Sequence, residues 1–175
     1  MDAIIARQAL VDIAARDVGK TEVTSNRAPW LAHYWPETSY PDGYAARAPY
    51  CAAAMCYWLA TWGRELAAHG ELRATLGISL ASYEQWRCKY AGAWRWQEWA
   101  TKRGLLILPD TAPPMMGDIM IFDMSHIGLV ESVAKKGRVN TIEANTGPSG
   151  GRDGDGVWRK DREQSLARAF IRIIP

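Results

Sequence analysis

The sequence predicts an α+β fold in which N-terminal helices pack on a C-terminal antiparallel β-sheet. Three observations predict it. Apolar residues recur at helical spacing through the first half of the chain. Short β-rich runs separated by turn residues fill the part after Pro113-Pro114. Helices come first and strands second, without the alternation that builds a parallel sheet. The 175 residues, 48% hydrophobic and 23% charged, read as one globular domain over 1–175, large enough to bury a core without disulfide or metal staples.

Residues 2–18 read as the first helix, with Asp2 as N-cap, a stripe of Ile5, Ala9, Ile13 and Ala14, and Gly19 as the stop. Residues 21–48 contain Pro29, Pro36 and Pro41-Asp42-Gly43, and predict a long surface loop with one short helix. Cys51, Met55, Trp58, Leu59, Trp62 and Leu66 keep i, i+4, i+7, i+8 spacing, which marks a helix buried along one side and ended by Gly70. Further helical stretches are expected near 71–76 and 82–103. Strands are expected at 118–122, 126–133, 138–144 and 167–174 as an antiparallel meander, followed in part by a Gly-rich loop at 147–155.

Composition removes several function classes. A net charge of +2 with no Lys/Arg run argues against nucleic acid, and Lys135-Lys136 reads as a hairpin turn. Cys51, Cys56 and Cys88 cannot all pair and form no Cys-x-x-Cys, so a disulfide framework and a zinc ribbon are disfavoured; three free thiols in a reducing compartment are expected. The start, Met1-Asp2-Ala3-Ile4-Ile5-Ala6-Arg7, has no signal-peptide pattern, and no segment reads as a membrane span. Synthesis in the cytoplasm is the expectation.

Cys51 follows a proline-marked turn and opens an amphipathic helix in Pro49-Tyr50-Cys51-Ala52. A thiol there feels the positive end of the helix dipole, which favours thiolate over thiol. Cys56 and Cys88 lack that position and read as packing residues. Of the three histidines, His33 sits in the loop and His69 at a helix end, whereas His126 opens a strand. If 134–137 form a four-residue hairpin loop, Val133 pairs with Arg138; His126 then lies opposite Asn145, with Glu143 on the diagonal. A carboxylate or amide holding one imidazole nitrogen leaves the other free to take a proton from a thiol. The register carries this juxtaposition, since a slip of one residue sends Glu143 to the other face.

Four segments follow one another along the chain: Pro49-Tyr50-Cys51-Ala52, Gly117-Asp118-Ile119-Met120-Ile121-Phe122, Ser125-His126-Ile127-Gly128-Leu129-Val130-Glu131 and Thr141-Ile142-Glu143-Ala144-Asn145-Thr146. In this order they resemble the CHAP and NlpC/P60 group of papain-like cysteine amidases and peptidases that cut peptidoglycan. The stretch from Glu22 to Trp30 and Asp155-Gly156-Val157-Trp158-Arg159 look similar to phage endolysin and prophage versions. Tyr50 stands where many relatives have Trp, and Ser125 where they have Gly; neither change removes a reacting group.

The resemblance implies a papain-like fold with Cys51 as nucleophile, His126 as general base and acid, Glu143 as the group orienting His126, and Asn145 as an auxiliary polar residue. The backbone N–H of Cys51 would serve as an oxyanion donor. Tyr50, Trp35 and Trp158 are expected to contact substrate, while Trp94 and Trp96 read as core. No cofactor and no metal are expected: the acidic loop that holds calcium in some relatives is reduced here to Asp42, and a calcium loop counted from Asp153 as its first position has Gln164, not an acid, at its twelfth. The expected substrate is bacterial peptidoglycan, cut at an amide bond of its peptide part by an N-acetylmuramoyl-L-alanine amidase or endopeptidase. The enzyme would be a monomer acting in the periplasm or cell wall, as a phage endolysin or as a toxin with an export machine and an immunity protein. The rival readings are a non-catalytic wall-binding module on the same fold and a papain-like enzyme acting on protein amides.

Overall fold

The computed structural model describes residues 2–149, 151 and 153–174; Gly150 and Arg152 of the Gly-rich loop lie outside the described residues. Helix α1 (Ala3–Ala15) begins where expected, its Ile4 amide donating to Asp2 Oδ1 at 2.8 Å. Its buried face is rotated from the expected stripe: Ala6, Leu10, Ile13 and Ala14 are buried, while Ile5 is 58% exposed. Residues 21–48 carry three 3₁₀ turns (Pro29–His33, Trp35–Glu37 and Pro41–Gly43) in place of one short helix. Helix α2 (Cys51–Ala68) is the central element, packed against α1 on one side and the sheet on the other. Helix α3 (Leu72–Leu76) follows. The long stretch expected near 82–103 is two helices, α4 (Leu80–Trp86) and α5 (Ala93–Thr101). Arg87 leaves the helical region at ψ 150, and Gly92 opens the second helix from extended backbone.

The strands are β1 (Leu106–Ile107), β2 (Ile119–Phe122), β3 (His126–Ala134), β4 (Arg138–Thr146), β5 (Gly156–Glu163) and β6 (Ala167–Ile171). They form one sheet in the order β1-β6-β2-β3-β4-β5, every pairing antiparallel. The meander β2-β3-β4-β5 was expected except for its last strand, and β6 returns beside β2. Side-chain alternation gives the sheet two apolar faces. Ile119, Ile121, Ile127, Leu129, Ile142 and Ala144 join the helices in the main core. Met120, Phe122, Val130, Val139 and Phe170 form a smaller cluster on the other face.

The β3–β4 hairpin differs from expectation near its turn and agrees with it at the far end. Ala134, not Val133, lies opposite Arg138, so the loop has three residues, with Lys136 (φ 61) and Gly137 (φ 69) left-handed. A bulge at Glu131 then shifts the register, and Val130 meets Thr141 and Leu129 meets Ile142, as the expected pairing required. Continuing that pairing sets Gly128 against Glu143 and His126 against Asn145.

A buried ionic clasp ties both chain ends to the sheet. Asp118, wholly buried, accepts from Arg172 Nε (3.0 Å) and Nη2 (2.7 Å) and from the Met115 amide (2.8 Å), with Arg7 Nη1 at 3.5 Å. Arg7 also donates to the Met116 carbonyl at 2.9 Å and to the Ile174 carbonyl. Gly117 supplies the approach: its φ is 82, and a Cβ there would sit 3.2 Å from Arg7 Cβ. The Gly117-Asp118 motif is therefore architectural. Asp118→Ala strands Arg7 in the interior, and chemical denaturation is expected to show a loss of about 3–5 kcal/mol. Arg16→Ala, which breaks the exposed pair with Glu65, is expected to cost about 1 kcal/mol or less.

Candidate active site

Pro49 and Tyr50 bring the chain into α2 so that Cys51 is its first residue, and no side chain caps that helix terminus. The backbone N–H groups of the first turn have no acceptor within the helix itself. Cys51, 7% exposed, lines a cleft of about 230 Å³ together with Trp35, Pro49, Gly92, Ser125 and Asn145. Cys56 and Cys88 are fully buried, and burial pushes both thiols up, Cys88 to about 12. Cys51 is thus the one cysteine that faces the cleft.

His126, also fully buried, opens β3 immediately after Ser125, whose φ of 57 is left-handed. Such a backbone favours glycine, and the serine here adopts it. The imidazole Nε2 lies 3.0 Å from Glu143 Oε2, so Nδ1 is the nitrogen left to Cys51. Burial lowers the basicity of His126, but hydrogen bonding and charge from Cys51 and Glu143 outweigh it and raise the group to about 9.

Glu143 is wholly buried and fully engaged. Besides His126 it accepts from Arg162 Nε (2.8 Å to Oε1), Arg162 Nη2 (2.6 Å to Oε2) and Thr141 Oγ1 (2.5 Å to Oε1). Burial alone would push its carboxyl up, yet Arg162 and His126 hold it at about 2. Arg162 also lies over the Phe122 ring at 5.4 Å, and Phe122 contacts His126 at 5.4 Å between ring centroids. Nothing in the sequence analysis singled out Arg162. Its signal was the alternation Trp158, Lys160, Arg162 along a strand facing Glu143, hidden because β5 was not expected.

The remaining expected residues divide. Asn145 lines the cleft with Cys51; its φ of 58 coincides with a register shift between β4 and β5, so strand alternation ends there. Trp35 lines the cleft as well. Tyr50 is not among the residues lining it: its side chain is fully buried and packs edge-on to Trp30 at 5.8 Å. Trp158 also stands apart from the cleft lining. It lies on edge strand β5 opposite Glu143, its indole donates to Asp155 Oδ1 at 3.2 Å, and the Cys51 cleft is lined without it. His33 and His69 are exposed and stand on other elements. Among the described residues, no group of three or more His, Cys, Asp and Glu side chains is gathered as a metal ion requires.

Two measurements probe this arrangement. His126 protonates near 9 in the fold against 6.5 when free, so its pairing stabilises the fold fully below pH 6.5, and that gain is lost as pH rises through 9. Glu143, lowered to about 2 from 4.5, contributes above pH 4.5 and loses its share as pH falls through 2. Unfolding free energy is expected to peak between pH 4.5 and 6.5, and His126→Gln should flatten the alkaline decline; a wild-type curve flat from pH 6.5 to 9 contradicts the pairing. Second, a Cβ on Gly128 would lie 2.7 Å from Glu143 Cγ. Gly128→Ala is expected to displace Glu143 and make that alkaline decline shallower, the Cys51 contribution remaining, while leaving far-UV circular dichroism unchanged.

No curated protein and no solved structure matches the chain. The CHAP domain matches residues 39–145, a span that opens before the Cys51 turn and closes at Asn145. With its helices and six-stranded antiparallel sheet in the α+β, papain-like arrangement, the chain belongs to the CHAP domain family of peptidoglycan hydrolase-type amidases and peptidases.

Proposed function

We propose that this chain is a cysteine-dependent hydrolase that cuts an amide bond in the peptide part of bacterial peptidoglycan. The observation that carries the reading is the convergence of Cys51, at the uncapped start of α2, with an imidazole backed by a fully buried carboxylate. His126 takes the Cys51 proton, and the thiolate attacks the carbonyl carbon while the N–H of Cys51 polarises the oxygen. The imidazolium then donates its proton to the departing amine as the C–N bond breaks, leaving a thioester. Water, deprotonated by the now neutral His126, hydrolyses that thioester and restores the thiol. Glu143 fixes the ring through Nε2 throughout. Asn145, across the cleft, is an auxiliary polar contact for the substrate.

The bond is either the N-acetylmuramoyl-L-alanine linkage or a bond within the stem peptide. We place the working site in the periplasm or cell wall, reached by release as an endolysin or by delivery as a toxin. Genes encoding a holin or an immunity protein beside this one separate the two. No helix among the described residues is long and apolar enough to cross a membrane.

Purified sacculi digested with the wild-type chain are expected to release fragments whose masses name the bond. Cys51→Ala should lower the rate by at least about 10³-fold and His126→Ala by about 10²–10⁴-fold. Release of nothing by wild type, or equal release by Cys51→Ala, overturns the proposal.

A further inference from the structure

Trp94 is 48% exposed and is the one tryptophan of the nine that lies open on the surface. Helix α5 explains why: Trp96, Trp99 and Ala100 carry its buried face, and Trp94 falls on the outer side. The ring is nevertheless held. Its Nε1 lies 3.3 Å from the Phe122 carbonyl, and the Arg168 guanidinium sits 5.5 Å from the ring centroid. Arg168 is anchored in turn by Gln97 Oε1 at 2.7 Å and Asp123 at 3.5 Å. Trp94, Gln97, Thr101, Lys102 and Arg168 line a surface concavity of about 620 Å³, within the roughly 300–1,000 Å³ of small-ligand sites.

The concavity and the Cys51 cleft have no lining residue in common, but the chain links them at two points. Gly92 and Ala93, which precede Trp94 directly, form one wall of the cleft. Ser125, at the end of the turn that begins after Phe122, forms another, and Phe122 is the residue that holds the indole. Trp94 is thus the next residue beyond the wall of the cleft, in a position to meet a polymer that extends out of it. In peptidoglycan the peptide stems hang from a sugar strand, so a peptide held at Cys51 leaves its sugars just outside the cleft. A pyranose ring offers an apolar C–H face and a polar rim of hydroxyl and acetamido groups. An indole floor bordered by Gln97, Thr101, Lys102 and Arg168 matches that division.

We propose that Trp94 and its neighbours on α5 and β6 form a subsite for the glycan strand, with the indole stacking on a sugar ring. This rests on the reading of the chain as a peptidoglycan hydrolase, and it adds a carbohydrate contact to the peptide chemistry at Cys51.

The test is binding of peptide-free glycan strands (oligomers of alternating N-acetylglucosamine and N-acetylmuramic acid) to the intact chain, followed by calorimetry and by the indole N–H resonances. Saturable binding is expected, weakened about tenfold or more by Trp94→Ala and restored to within about threefold by Trp94→Tyr. Arg168→Gln, which keeps the indole, is expected to weaken it by a smaller factor. Absence of binding, or equal binding by Trp94→Ala, overturns the subsite. The sacculus digest keeps the two ideas apart. Fragment release with Trp94-independent glycan binding removes the subsite alone, whereas Trp94-dependent binding with no fragment release supports the subsite and removes the hydrolase.

Discussion

The burial of the Glu143 carboxylate is the constraint on which the rest of the site depends. An ionised carboxyl moved into the interior loses hydration worth several kcal/mol even after relaxation, and only good partners offset that. Glu143 has them: one imidazole, a guanidinium that meets both oxygens, and the Thr141 hydroxyl. Each donor comes from a position that must be reached. His126 requires the start of β3, Thr141 a place on β4 two residues before Glu143, and Arg162 the neighbouring edge strand β5. The carboxylate thus binds three strands through their side chains at the end of the sheet where α2 presents Cys51.

The irregularities of the sheet serve this arrangement. The Glu131 bulge converts the register set by the tight hairpin into the one that brings His126 and Glu143 together. Gly128 leaves the space that Glu143 Cγ fills, and Ser125 takes a left-handed backbone so that the chain reverses into His126. At the other strand end Asn145 leaves the regular conformation and lines the cleft. A sheet without these departures would pair as well, but His126 and Glu143 would not share a face.

Much of this was legible in the sequence because it rests on local signals. The proline turn before Cys51, the apolar spacing of α2 and the length of the β3–β4 hairpin each act over a few residues. The predicted hairpin was one residue wrong at the turn, and the bulge cancelled that error at His126. What escaped notice depended on distant partners. β5 reads Trp158-Arg159-Lys160-Asp161-Arg162-Glu163, charged on both faces, so no apolar alternation announced it, and Arg162 went with it. Trp94 and Trp96 look alike in sequence, and only the rotation of α5 on the sheet separates the exposed ring from the buried one. Tyr50 adjoins Cys51 in the chain yet points into the aromatic core, because a helix cap turns successive side chains to different sides.

Arg162 gives the edge strand a part in the chemistry. In the proposed mechanism His126 must hold its proton firmly enough to keep the thiolate and loosely enough to release it to the leaving amine. A lone buried carboxylate beside the ring would favour the imidazolium strongly, since the attraction is little screened away from water. The guanidinium opposes that on two counts: it neutralises the carboxylate charge, and it engages the same Oε2 that faces Nε2 of the ring. It also holds Glu143 ionised, so the carboxyl cannot take the proton itself. A single cation therefore lets the carboxylate be buried and limits its pull on the histidine. For that reason β5, although it contributes nothing to the Cys51 cleft through Arg162 directly, belongs to the same electrostatic unit as the thiol.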